Sequence, residues 1–436
     1  MKRTEFSSAL LGERYEKIEH VSGLSVYVFP KKLTTAYAFF AVRYGSLDSS
    51  FERCGRDGRV SVPDGIAHFL EHKMFENEDG SDSFAHFASL GADANAYTSY
   101  NRTAYLFSCT EHFGEALDEL LRFVTKPHFT EASVQKEQGI IAEEIRMYED
   151  SPWEQCLQKL LEAMYPTHPV RKNICGTVES IQEITPALLY ECYRAFYTPS
   201  NMTLVVCGDV NADEVMEAVD RHLPQVAIPM TVKRVTEADR SGVVMPYVSA
   251  RMQVSKPIFS IGIKDRHFVG TPAERLRREL AMTMLDEILF SRSEPFYNDL
   301  FERGVVTPSF GAGYSCAEDF AFHCISGESD TPDEVLRLLR EYLLRVCESG
   351  ISEEAFERCR RVMYADEVRA YDSTEEIASR LLSFAFEDVD MFSCLEILQG
   401  IQKEELETLL GEAFEEDCFT LAVILPIDQE KRSDNN

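Results

Sequence analysis

An α+β fold in two lobes of similar element order is what this sequence predicts, and three observations predict it. The chain has 436 residues, too many for one ordinary hydrophobic core. Apolar residues make up 44% and charged residues 27%, the balance of a globular protein able to build sizeable cores. Strand-like and helix-like segments mix along the first part of the chain, and the last part echoes their order. We expect a first lobe over residues 1–228, a connecting segment over 229–250 and a second lobe over 251–436. The connector is suggested by Pro224, Pro229 and Pro246 among mixed charges, a composition of extended crossovers.

Residues 24–30 and 35–46 read as two strands, rich in aromatic and β-branched side chains, which suit a pleated, buried surface. After the polar stretch 48–64 the apolar residues Ile66, Phe69, Leu70, Met74 and Phe75 mark a helix, with Pro63 and Asp64 as start signals. Residues 83–90 look like a short helix ending at Gly91, and its His86 has no second ligand one turn on. Residues 91–109 look like two strands about a turn at Asn101-Arg102. Small Ala94 and Ala96 would let another backbone come close, so this is either an edge that accepts a peptide strand or an ordinary hairpin. Helical patterns follow at 111–123, 130–148, 153–164, 186–196 and 212–223, with a strand beginning at Met202 between the last two. The second lobe reads as strand 258–263, helix 272–289, strand 309–325, helices 333–347 and 353–368, and final strand 419–425.

The chemistry concentrates at His68-Phe-Leu-Glu71-His72. Two imidazoles four residues apart lie one turn apart on one helix face and can address one ion. Glu71 falls at the edge of that face, within reach of a water on the ion. Zinc suits such a kit, with imidazole ligands, an open position and a carboxylate to take a proton. In the helix 130–148, Glu137 and Glu144 are seven residues apart, two turns along one face, and Ile140, Ile141 and Ile145 share or border it. Carboxylates beside isoleucines are either solvated at the rim or drawn inward by a partner, and a zinc ion short of a third ligand is such a partner. Glu143 points about 100° away.

Composition narrows the partners. Against 44 Lys and Arg stand 74 Asp and Glu, a formal net charge of -30, which disfavours nucleic acid because a phosphate backbone needs a basic surface. No run of about 18 apolar residues suggests a membrane span, and no N-terminal apolar run suggests a signal peptide, so a cytoplasmic location is expected. The 12 cysteines are scattered singly without a C-x-x-C pair. We expect them to be reduced, small apolar residues rather than a disulfide framework.

In these residues the chain resembles the pitrilysin and insulinase family of zinc metallopeptidases, which includes the mitochondrial processing peptidases. The resemblance rests on residues 68–76, on Gly91-Ala-Asp-Ala-Asn-Ala-Tyr-Thr98 and on Glu137-Gln-Gly-Ile-Ile-Ala-Glu-Glu144-Ile. Weaker matches are His168-Pro-Val, Gly176-Thr-Val-Glu-Ser-Ile and residues 196–210. It covers the first lobe densely and the second mainly by organisation.

The resemblance implies that His68, His72 and Glu144 ligate zinc. It implies that Glu71 is the general base toward a water in the fourth position, and that Glu137 orients the site from behind the ligands. Asn95, Ala96, Tyr97 and Thr98 would form the edge on which the substrate main chain is laid. The implied fold is two similar αβ lobes, each a mostly antiparallel sheet covered by helices, together one half of a metallopeptidase clamshell. Two such halves close a chamber, so a homodimer or a heterodimer with a paralogous subunit is expected. The implied activity is zinc-dependent endopeptidase cleavage of peptides or short unfolded segments by direct water attack, without a covalent intermediate.

One departure bears on this. Many active relatives carry an Arg and a Tyr in the second lobe that hold the substrate carbonyl; by spacing, Leu300 and Thr307 stand there instead. Arg303 and Tyr314 are the nearby candidates to replace them. The alternative is therefore a zinc-stabilised peptide-binding or assembly subunit of a two-component peptidase, its catalysis weak or vestigial.

Overall fold

In the computed structural model, which describes residues 1–54, 58–235, 239, 241–268 and 270–427, the chain forms two compact units. The first comprises Met1–Ile145, Asn173–Thr236 and Ala365–Glu396; the second comprises Arg146–Lys172, Glu237–Tyr364 and Ile397–Asn436.

Each unit is built on one mixed, mostly antiparallel sheet. In the first, the strands Ser25–Pro30, Met202–Gly208, Ala36–Val42, Thr103–Cys109 and Asp93–Thr98 lie in that order, the first pair parallel and the others antiparallel. In the second, Tyr247–Met252, Phe419–Pro426, Ile258–Lys264, Ala321–Glu328 and Gly311–Cys316 repeat the same order and the same sense of every pair. The echo in element order is thus a duplication of sheet topology. The first sheet is extended by Glu13–Glu19 and Lys2–Ser8.

Every residue of Ala36–Val42, Met202–Gly208 and Ile258–Lys264 is buried. Side chains alternate between faces along a strand, so burial at every position means that both faces of the sheet are covered. On the first sheet, Ile377, Leu381 and Leu382 of the helix Thr374–Phe386 join Phe29, Phe39 and Val205 in one apolar cluster. The helix Phe113–Thr125 also packs on this sheet, burying Leu117, Leu120, Leu121 and Val124. On the second sheet lies the helix Pro152–Met164, with Cys156, Leu160, Leu161 and Met164 buried. Helices Pro272–Phe290 and Pro332–Ser349 pack there as well.

Two segments therefore belong with the sheet that is distant in sequence: residues 146–172 with the second unit and 365–396 with the first. A single cut at 229–250 does not describe them. Burial decides membership, since each Leu or Ile side chain sealed against a sheet contributes about 1.5–3 kcal/mol.

Other expectations need correction. The segment 229–250 is not merely a connector: Val232–Arg234 pairs antiparallel with Ser50–Arg53, and Tyr247–Met252 pairs in parallel with Phe419–Pro426. The strand expected over 309–325 is a hairpin, Gly311–Cys316 against Ala321–Glu328, closed by the Ala317 N–H donating to the Phe320 carbonyl. The 12 cysteines form no disulfide, and eight of them are buried. Among the described residues no helix is long and apolar enough to cross a membrane.

Candidate metal centre

The histidine helix, Ile66–Lys73, begins at Gly65, not at the Pro63-Asp64 pair. Gly65 has φ +87° and Gly176 φ +77°, and the two backbones cross tightly. A Cβ on Gly65 would lie 2.3 Å from the Cys175 carbonyl oxygen, and one on Gly176 would lie 2.4 Å from that of Asp64. Only glycine allows both the left-handed backbone and this approach. The Ser180 hydroxyl, donating to the Asp64 carbonyl at 2.8 Å, fastens the crossing. Ile66, Ala67, Phe69 and Leu70 are buried, anchoring the helix and fixing where the face between them points.

That face carries both imidazoles, their rings 4.6 Å apart. His68 is 7% exposed and His72 about half buried. The helix Glu131–Glu149 supplies the carboxylates. Glu144 Oε1 lies 3.6 Å from His68 Nε2, and Glu144 Oε2 lies 3.5 Å from His72 Nε2. Zinc held tetrahedrally at about 2.0–2.1 Å spaces its ligand atoms about 3.3–3.4 Å apart. Each imidazole therefore stands within a few tenths of an ångström of ligand spacing from one oxygen of Glu144.

Glu137, two turns earlier, reaches behind His72: its Oε1 accepts from His72 Nδ1 at 3.0 Å. A neutral imidazole that donates through Nδ1 keeps Nε2 bare for an ion. Lys73, fully buried, puts its ammonium 3.8 Å from Glu137 Oε2 and 2.6 Å from Glu76 Oε2. Glu71, 7% exposed, accepts a 2.6 Å hydrogen bond from the Thr98 hydroxyl at the end of the edge strand Asp93–Thr98. That strand pairs on one side with Thr103–Cys109, from Asp93 opposite Ser108 to Thr98 opposite Thr103, and ends the sheet. The Asn95 side chain accepts from the Ala96 N–H at 2.8 Å. Tyr97 meets the Phe39 ring edge-on at 6.5 Å.

The electrostatics fit a cation. Burial, with His72 beside it, pushes His68 down to about 3, so its ring is neutral as a ligand must be. For His72 burial acts downward, but the Glu137 hydrogen bond and the charges of Glu71, Glu137 and Glu144 raise it on balance. Burial pushes Glu71 up to about 7, against the opposing pull of Thr98 and His72. A carboxyl poised there suits a general base working near neutral pH. Four carboxylates, Glu71, Glu76, Glu137 and Glu144, meet two imidazoles and one lysine, and among the described residues the buried His68 Nδ1 has no hydrogen-bond partner. A divalent ion would resolve this arrangement, and His68, His72 and Glu144 are the residues placed to hold it.

His68, Glu71, His72, Glu137, Glu144 and Thr98 thus come together in the first unit, and Asn95, Ala96 and Tyr97 lie on the same edge strand as Thr98. Of the isoleucines expected on the Glu137–Glu144 face, Ile141 and Ile145 are buried but Ile140 is 47% exposed. In the second unit, Leu300 is buried. The Thr307 hydroxyl donates to Glu328 Oε2 at 3.1 Å. Arg303 pairs with Asp299 at 2.8 Å and Glu334 at 3.3 Å. The Tyr314 hydroxyl donates to Asp265 Oδ2 at 2.7 Å, on a carboxylate that Arg278 also holds. Arg303 and Tyr314 are therefore engaged in pairs of their own. Sequence reasoning missed Cys175, whose Sγ lies 3.9 Å from His68 Nε2; the adjacent Gly176 was its one local signal.

A histidine helix bearing His-x-x-Glu-His, facing a glutamate helix and an edge strand on a duplicated αβ framework, is the architecture of an M16-type zinc-protease half. The chain belongs to the insulinase family, peptidase family M16: residues 62–178 match that family's description and residues 183–363 match the peptidase M16 inactive domain. It is 39% identical to YmfH, an uncharacterized zinc protease of Bacillus subtilis strain 168, over 94% of this chain and 96% of that protein. Among solved structures, it superposes on a putative M16-like peptidase from Alicyclobacillus acidocaldarius with TM-score 0.90 and 34% identity, covering 95% of this chain and 98% of that one. It also superposes on the periplasmic protease PqqL of Escherichia coli with TM-score 0.70 and 19% identity, covering 94% of this chain but only 47% of that one.

Glu137 offers a test of the supporting contacts. Glu137→Gln can no longer hold the His72 ring as a carboxylate does, and zinc affinity measured by chelator competition should fall about 10 to 100-fold. Affinity unchanged from the parent would remove Glu137 from the centre.

Proposed function

We propose that this chain is a zinc-dependent endopeptidase that cleaves peptides or short unfolded segments, with His68, His72 and Glu144 as ligands. The observation that carries the reading is the approach of both Nε2 atoms to the two oxygens of Glu144, with the Glu71 carboxylate buried beside them. Zinc, when bound, polarises a carbonyl and makes water acidic enough to be deprotonated near neutral pH. Glu71 takes that proton and delivers it to the leaving amine. Thr98, by donating to Glu71 Oε2, keeps the other oxygen turned to the reaction and ties the base to the strand that positions substrate.

Peptides bind by strand addition to Asn95, Ala96, Tyr97 and Thr98 on the free side of the edge strand, where main-chain groups give affinity and side chains give selection. The chain works as a homodimer or with a paralogous subunit in the cytoplasm. This chain covers about half of PqqL, a length consistent with one half of a paired assembly.

Leu300, Thr307 and the engaged Arg303 and Tyr314 favour a second reading, a zinc-stabilised peptide-binding or assembly subunit with weak catalysis. Both readings require the edge strand to receive peptide. In Glu71→Gln protein, saturating peptide should slow hydrogen exchange at amides of Asp93–Thr98; unaltered exchange there despite measured binding would contradict strand addition.

A further inference from the structure

Cys175 stands beside two of the three residues that the zinc reading assigns as ligands, His68 and Glu144. The donor atoms of His68, Glu144 and Cys175 all lie within 4.8 Å of one another, and Sγ is 3.9 Å from His68 Nε2, the very atom that faces Glu144. The thiol is 6% exposed. Its position is built, not incidental. The Gly65–Gly176 crossing locks the Cys175 backbone against the start of the histidine helix, and Asn173 Oδ1 accepts the Cys175 N–H at 2.8 Å. Independently, the His68 ring, 93% shielded from solvent, has its Nδ1 without a hydrogen-bond partner among the described residues, so its far edge does not anchor it. What orients the ring is what meets Nε2, and Cys175 is part of that.

We propose that the Cys175 thiolate is a fourth, displaceable protein donor of this centre. This inference rests on the zinc reading above and goes beyond it. A zinc–sulfur bond of about 2.3 Å beside a zinc–nitrogen bond of about 2.0–2.1 Å spaces sulfur and nitrogen about 3.6 Å apart, so Sγ stands only a few tenths of an ångström beyond that spacing from His68 Nε2. The thiol proton leaves to solvent as sulfur coordinates. Four protein donors close a zinc site, whereas catalysis needs an open position. The resting centre is therefore tightly held and closed, and turnover requires sulfur to give way to water and substrate. Cys175 sets metal retention against rate.

The test uses the full chain loaded with cobalt in place of zinc, as parent, Cys175→Ser, Cys175→Ala and His68→Ala. The parent should take up about one cobalt per chain and show the intense near-ultraviolet charge-transfer absorption of a thiolate on cobalt. Both Cys175 variants should still bind cobalt, without that absorption. Chelator competition should show their zinc affinity at least about tenfold lower, and their peptide cleavage at saturating zinc should be faster. If the parent binds cobalt but lacks the thiolate absorption, or if the Cys175 variants hold zinc as tightly as the parent, Cys175 is a packing residue and the proposal falls alone. If the parent binds no cobalt in a His68-dependent way, the metal centre itself falls.

Discussion

Glu71→Gln protein should retain about one zinc per chain while its peptide cleavage falls by about 10² to 10⁴-fold or more. The carboxylate is not among the groups that approach one another at ligand spacing; it sits beside them, bonded to Thr98. An amide of the same shape keeps the Thr98 hydrogen bond but cannot accept a proton. Burial already pushes the Glu71 carboxyl up to about 7, so the substitution by a neutral group costs the fold little. Peptide binding should survive, because the edge strand is untouched. The check is a cleavage assay with zinc analysis on the same preparation. Cleavage at the parental rate would remove Glu71 from the proton transfer. If parent and variant bind peptide equally and neither cleaves, even with a paralogous subunit present, the assembly-subunit reading is the one to keep.

His68→Ala should lose the metal altogether. Zinc sites in proteins hold four ligands, and this substitution removes one of three that only a folded helix pair can bring together. It also opens a void beside Glu144 and leaves that carboxylate facing His72 alone. Elemental analysis after dialysis should find less than about one tenth of the parental zinc, and cleavage should be lost with it. Thermal unfolding separates this from misfolding, because the apolar residues that seat the helix, Phe69 and Leu70, remain. Full zinc content in His68→Ala would place the ion elsewhere.

Legibility in the sequence followed locality. His68, Glu71 and His72 share one helix and Glu137 and Glu144 another, so the 3.6-residue period was enough to group each set by face. The period could not tell which sheet a helix covers. Pro152–Met164 and Thr374–Phe386 have ordinary amphipathic patterns, and only tertiary contact assigns the first to the second unit and the second to the first. Lys2–Ser8 and Glu13–Glu19 went unread because an edge ladder with charged, exposed residues lacks the apolar alternation that marks a strand. The hairpin at Gly311–Glu328 read as one strand because its turn, 317–320, contains no Gly, Pro or Asn. Cys175 was hidden for a different reason. It reaches His68 across a glycine crossing of two loops, 107 residues away in sequence, and a single cysteine carries no spacing to read.

Whether this centre hydrolyses peptides with zinc is decided by digesting a peptide library with the purified chain, alone and with a paralogous subunit. Mass spectrometry counts new termini before chelation, after chelation and after zinc is restored. Internal cleavages should vanish with chelator and return with zinc. Cleavage that persists at the same sites after the metal has been removed, or none at all from protein shown to hold zinc and its partner, would contradict zinc-dependent hydrolysis at this centre.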